Sequence, residues 1–239
     1  GWCGYEGPSL LQILELLPNT PADTGLPLAF PVQWVEKFSS SSDTSQGRRV
    51  FWGRVAAGSV QPGSAVQVFP SGQLATVAQV LDHARRPTTV GAGESAGIIL
   101  DREVDVSRGD WIVAAPTQAA VAEDDFDAPA AVPAWPGQRE IKATVAWMDN
   151  EPLLAGRVYW ALHGHRWVKA KVRRVVHRLD INTLAEEDAE RLDPNAIGHV
   201  ELLLQEPLPA APFSQTRVLG SLILVDTASN ATAGAVLVN

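Results

Sequence analysis

The sequence predicts an all-β chain: two small antiparallel β-barrels preceded by one short helix. Three observations carry this. After residue 29 the apolar period falls from about 3.6 residues to about 2, the spacing of a strand with one buried face. Glycine and proline turn signals then recur at the intervals of a small barrel: Gly58, Pro62-Gly63, Pro70-Ser71-Gly72, Gly91 to Gly93 and Ser107 to Asp110. Residues 116–138, rich in alanine, proline and acidic side chains, follow neither period and separate two sets of strand patterns.

In chain order, residues 8–18 carry Leu10, Ile13, Leu14 and Leu17 on one helical face. Pro8 or Ser9 opens that helix and Pro18 stops it. So short a leucine-rich helix is marginal alone and is expected to dock on something, as the remnant of a larger preceding domain. Residues 19–29 read as a linker. The first barrel draws on strands at 30–37, 49–57, 64–69, 74–82, 95–101 and 110–115. The second draws on 139–148, 156–163, 166–179, 197–205, 219–226 and 231–238, with a short helix expected in the polar stretch 184–192. The expected organisation is helix and linker over 1–26, a barrel over 27–118, a linker over 119–137 and a second barrel over 138–239.

The 239 residues are 46% hydrophobic, enough to fill ordinary cores, which excludes a disordered chain. With 19 basic against 27 acidic residues the net charge is -8, which disfavours a bulk nucleic-acid binder. No apolar run reaches the roughly 18 residues of a membrane-spanning helix. The one cysteine, Cys3, cannot form an internal disulfide and fits a reducing, cytoplasmic compartment. The chain begins at Gly1 and its one methionine is Met148, so a natural N-terminal part is expected to precede it.

Most chemical motifs reduce to turns. The lysines are Lys37, Lys142, Lys169 and Lys171, and none lies in the glycine-framed phosphate loop of a nucleotide hydrolase, so GTP binding by this chain is not expected. The glycines at 91–93 and 93–97 lead into no helix and read as strand-bounding turns. Asp101, Glu103, Asp105 and Asp110 fail the EF-hand frame, because Val106 and Ile112 stand where its glycine and closing glutamate belong. Arg108-Gly109-Asp110 reads as a turn between strands. His163, His165 and His177 lack a carboxylate or cysteine at a familiar ligand spacing, and 163–165 reads as a solvated hairpin tip. No nucleophile elbow occurs. No catalytic, cofactor-binding or metal-binding set is therefore assigned. The one concentration of positive charge is the strand 166–179. It places Lys169, Lys171 and Arg173 on one face and Val168, Ala170 and Val172 opposite, with Arg166, Arg174 and Arg178 toward its ends. These three residues are the candidate partner contact, since a local reversal of sign in an acidic chain can steer association. Only Trp160 and Trp167 lie close by, which argues against single-strand nucleic-acid stacking.

Residues 53–72, GRVAAGSVQPGSAVQVFPSG, resemble the opening of the second domain of translation-factor-type GTPases. Within that superfamily the chain is most similar to the GTP-binding large subunit of bacterial sulfate adenylyltransferase. The likeness runs through GPSLLQILE (7–15), FPVQWV (30–35), VFPSG (68–72), VDVSRGDWIVA (104–114), LDINTL (179–184), IGHVELLLQEPL (197–208) and GSLILVDTASNATAGA (220–235). The resemblance implies barrels of the translation-factor domain II and domain III type, following the last helix of a GTPase domain. It implies a two-subunit enzyme that makes adenosine 5′-phosphosulfate and pyrophosphate from ATP and sulfate. A small subunit performs the adenylyl transfer, and the large subunit couples it to GTP hydrolysis. GTP and Mg would belong to a GTPase domain upstream of residue 1, so no cofactor is assigned to this chain. The implied partners are the small catalytic subunit and that GTPase domain. Ser39 to Ser42, Arg48-Arg49 and the His163-Gly164-His165 tip depart from the family pattern. The competing reading is a translation-factor-like barrel pair that grips RNA, which the net charge disfavours.

Overall fold

The computed structural model describes residues 4, 7–17, 23–37, 49–117 and 133–239. Ser39 to Ser42, Arg48 and most of the second linker lie outside the described residues.

Helix α1 spans Leu10–Leu16. Ser9 caps it, accepting from the Gln12 N–H at 3.3 Å, and the Gln12 side chain accepts from the Ser9 N–H at 2.8 Å. This reciprocal box satisfies two of the first-turn donors that a helix leaves open. None of its residues is buried, and its leucines are exposed.

The first barrel is built from β1 (Ala29–Lys37), β2 (Arg49–Arg54), β3 (Ser59–Val60), β4 (Ala65–Phe69), β5 (Leu74–Leu81), β6 (Val90–Gly91), β7 (Ser95–Leu100) and β8 (Trp111–Ala114). Strands β1-β2-β7-β5-β4-β8 close on themselves, all antiparallel, while β3 and β6 form a small flap. Closure explains the alternation read from the sequence. Val66, Val68, Val77 and Ile98 are sealed in the core, and along β4 Val66 and Val68 alternate with the exposed Ala65 and the part-exposed Gln67 and Phe69.

The second barrel uses β9 (Gln138–Trp147), β10 (Leu153–Leu154), β11 (Val158–His163), β12 (Arg166–Leu179), β13 (Glu186–Glu187), β14 (Arg191–Leu192), β15 (Ile197–Leu208), β16 (Ser221–Asp226) and β17 (Thr232–Val238). Its order is β11-β16-β17-β9-β15-β12, and a β12–β11 ladder closes the ring. β13 extends the far end of β12, and β10 pairs with β14. Trp147, Tyr159, Leu202 and Leu204 fill the interior.

The helix expected at 184–192 does not form. The Asp180 carboxylate instead accepts from the Asn182 and Thr183 N–H groups, at 2.9 and 2.8 Å, and turns the chain. Leu184 then adopts φ 59°, and the next residues add to β12 as β13. The capture of Leu192 completes the change, because it is fully buried against the barrel and β14 must be extended to reach β10.

The barrels are docked, not merely tethered. Ala29, Ala57, Trp111 and Val113 of the first pack with Ala211 and Leu219 of the second around Trp135 from the connecting segment. The Trp135 indole N–H donates to the Leu28 carbonyl at 3.0 Å, so the end of the linker is itself part of the seam.

Candidate functional site

β12 runs from the seam to the opposite end of the second barrel, and its two ends are chemically different. At the seam, the β11–β12 hairpin tip meets the β7–β8 turn of the first barrel. Gly164, at φ 59°, leaves room for the Trp111 ring, since a Cβ there would stand 2.7 Å from it. Gly109, at φ 95°, does the same for the His165 carbonyl, which would stand 2.9 Å from a Cβ. Two segments that read as separate turns are therefore a lock and its key, and the expectation of a solvated tip at 163–165 fails at its first residue. His163 is fully buried and stacks on Trp111 with ring centroids 5.0 Å apart.

Burial forces the His163 imidazole to stay neutral, lowering its pKa to about 4. Its Nε2 lies 2.9 Å from the Leu219 carbonyl. A carbonyl can only accept, so Nε2 carries the proton and Nδ1 is a bare lone pair, with no partner among the described residues. His165, half-buried next door, is also held below the usual range, by burial and by the Arg108 charge. Arg166 spans the seam: it donates to Asp110 of the first barrel at 2.7 Å and bonds Glu206 of its own. Burial raises the Asp110 carboxyl although the Ser107 N–H and Arg166 oppose it. Beside this lock lies a cleft of about 520 Å³ whose lining includes Asp23, Arg54, His165 and Arg217.

Beyond the seam, Lys169, Lys171 and Arg173 all stand exposed on the outer face of β12, while Val168, Ala170 and Val172 fill the barrel. Strand pairing flanks this stretch on both sides over Ala170 and Lys171, with Tyr159 and Val158 on one side and Leu204 and Leu203 on the other. The positive charges there do not guard a free edge. Arg173 pairs with Glu140 at 3.0 Å, and Arg174 holds Glu201 through two bonds that keep its carboxyl below the usual range. Arg178 pairs with Glu187. Lys169 and Lys171 form no ion pair among the described residues. Lys169 lies 5.4 Å over the Trp160 ring, and Trp160 and Trp167 together line a shallow hollow of about 340 Å³. The positive excess is thus narrower than the sequence stripe and more aromatic.

The structure does not bring the sequence-singled histidines together. His163 ends β11 at the seam, opposite Arg166 of β12, whereas His177 lies toward the far end of β12 and faces His199 of β15. Sequence reasoning passed over Arg166 as a seam residue, Trp135 as an anchor and Arg217 as a cleft residue. All three owe their roles to partners far along the chain, and no local spacing marks them.

Tandem six-stranded barrels of this arrangement are of the translation-factor domain II and domain III type. Residues 140–239 match the family described as GTP-eEF1A C-terminal domain-like. The fold superposes on Sup35 complexed with GDP with TM-score 0.73 at 20% identity, covering 99% of this chain and 52% of that one. More particularly, the chain belongs to the sulfate adenylyltransferase subunit 1 family. It is 38% identical over 231 residues to the bifunctional enzyme CysN/CysC of Xylella fastidiosa, covering 97% of this chain and 34% of that protein. It is 33% identical over 234 residues to sulfate adenylyltransferase subunit 1 of Salmonella typhi, covering 98% of this chain and 44% of that protein. A relative in Laribacter hongkongensis is 33% identical over 97% of this chain, again 44% of its own length. The chain therefore spans less than half the length of these curated relatives. No helix among the described residues is long and apolar enough to cross a membrane.

Proposed function

We propose that this chain is the interaction and coupling module of a sulfate-activating enzyme. In that reading it holds a GTPase domain and a small catalytic subunit in register, so that GTP hydrolysis drives adenylyl transfer from ATP to sulfate. The products are adenosine 5′-phosphosulfate and pyrophosphate. The observation that carries this is similarity to subunit 1 proteins along 97–98% of the chain, both barrels and the seam included. GTP and Mg would be bound by the GTPase domain of the full-length protein, and the small subunit would perform the chemistry. The docked seam supports a coupling role, because a rigid pair of barrels transmits a displacement that a flexible tether would absorb. The outer face of β12, with Lys169, Lys171 and Arg173, is the surface we assign to the small subunit or to the GTPase domain.

The test is binding of the purified chain to the small catalytic subunit and, separately, to tRNA, each at low and high salt. Saturable binding to the small subunit with no tRNA affinity supports the proposal. A tRNA complex whose affinity falls steeply with salt, with none to the small subunit, favours the RNA-gripping alternative.

A further inference from the structure

At the end of β12 away from the seam, three lone-pair-bearing atoms from three strands converge. His177 and His199 are directly opposite one another on β12 and β15. His199 follows the opposite face from buried Val200, and the register shift between buried Val175 and His177 turns His177 to that same outer face. The Asp180 turn folds β13 back beside β12 and delivers Glu186. Glu186 Oε1 lies 3.1 Å from His177 Nε2 and 3.9 Å from His199 Nδ1, and those two nitrogens face each other in contact. All three atoms lie within 4.8 Å of one another.

We infer that His177, Glu186 and His199 form a binding site for a divalent transition metal of the zinc class. The donor set decides the class. Two imidazoles and one carboxylate suit Zn²⁺, Co²⁺, Ni²⁺ or Cu²⁺, whereas Mg²⁺ and Ca²⁺ call for an oxygen shell. The bonding requirement of the cluster points the same way. Protons on both facing nitrogens would repel, and a single proton between them serves only one pair of the three atoms at a time, whereas one cation can bind all three together. The local field does not oppose a cation either, because the flanking Arg174 and Arg178 are each engaged by a carboxylate, Glu201 and Glu187. Zinc-nitrogen bonds are about 2.0–2.1 Å long, so the nitrogens part on binding, and the half-open rings can rotate to allow it. Three protein ligands leave a coordination position for water or for a group from a partner. A bound ion would fasten the 180–187 turn to the sheet, a clip between elements that share few other contacts.

The ligands are 9 and 13 residues apart in sequence, with Glu186 between the histidines, which matches no short metal motif. Strand register alone brings them together.

The experiment is a titration of the metal-free 239-residue chain with Zn²⁺ against a chromophoric chelator, repeated with Co²⁺ while its visible absorption is recorded. The expected result is one equivalent bound and an intense Co²⁺ band of low coordination number. His199→Gln should weaken Zn²⁺ binding at least about tenfold and abolish the band. Glu186→Gln should weaken it while leaving the circular dichroism spectrum unchanged. Replacing the exposed His83 by Gln should change nothing. Absence of stoichiometric binding to the unmodified chain, or binding undiminished in His199→Gln, would overturn the inference. Loss of binding in His83→Gln would overturn it equally.

Discussion

The two ends of β12, with the strands that meet it there, hold the same residue types in opposite settings. At the seam, His163 and Arg166 are closed in by a second barrel, so the histidine is fixed neutral and the arginine is spent on Asp110 and Glu206. At the far end, His177 and Arg178 stand at an outer face with Glu186 and Glu187. The difference teaches that burial, not residue identity, separates structural from available chemistry within one barrel. A histidine sealed against Trp111 holds the fold and can do little else. A half-open histidine beside a carboxylate can take a ligand, and lysines between the two ends can take a partner.

That contrast can be broken from the seam side first. Trp111→Ala empties a fully buried site at the junction of the barrels and should cost about 3–5 kcal/mol in urea unfolding. It should also split one cooperative transition into two, because it removes the centre of the shared cluster. If stability falls by less than about 1 kcal/mol, the barrels are tethered rather than docked.

Acid should act next, and at the same place. His163 titrates near its ordinary 6.5 when unfolded and at about 4 when folded. Below pH 6.5 the unfolded chain takes up a proton that the folded chain refuses. The stabilisation is therefore complete above pH 6.5 and is lost as pH falls toward 4, at about 1.4 kcal/mol per pH unit and about 3 kcal/mol in all. Urea midpoints across this window should show the slope, and His163→Leu should flatten it. A slope that survives the substitution would locate the acid sensitivity elsewhere.

Arg166→Gln comes third. It leaves Asp110 without its cation in a position where burial already disfavours the charge, so a loss of about 2 kcal/mol is expected. The equivalent change at the far end, Arg178→Gln, removes an exposed pair and should cost below about 1 kcal/mol. Equal losses would erase the contrast.

Strands such as β4, β11 and β12 were legible because they alternate buried and less buried residues over five residues or more, and turn glycines bound them. The two-residue strands were not, since β3, β6, β10, β13 and β14 are too short to show a period. The stretch 184–192 misled because its polar composition suits a helix, while one distant demand, the burial of Leu192, decides otherwise. Of the candidate surface, Lys169, Lys171 and Arg173 were readable from alternation alone. Their inequality was not, because Glu140, which pairs with Arg173, comes from another strand. The seam was the least legible part. Arg108-Gly109-Asp110 and His163-Gly164-His165 each look like a turn, and only the fold reveals that they face one another.

The smallest expected effect on stability bears on the largest claim, that the outer face of β12 is for a partner. The measurement is assembly of the full-length protein on the proposed partner, the small catalytic subunit, with and without Lys169→Glu, Lys171→Glu and Arg173→Glu together, at low and high salt. The folding transition should hardly move, since all three side chains are exposed and, among the described residues, Arg173 alone of the three has an ion pair, an exposed one. Assembly should weaken at low salt, and the difference from the unmodified protein should shrink at high salt as the charges are screened. Unchanged affinity with unchanged salt dependence would contradict the account and leave this face as solvated surface.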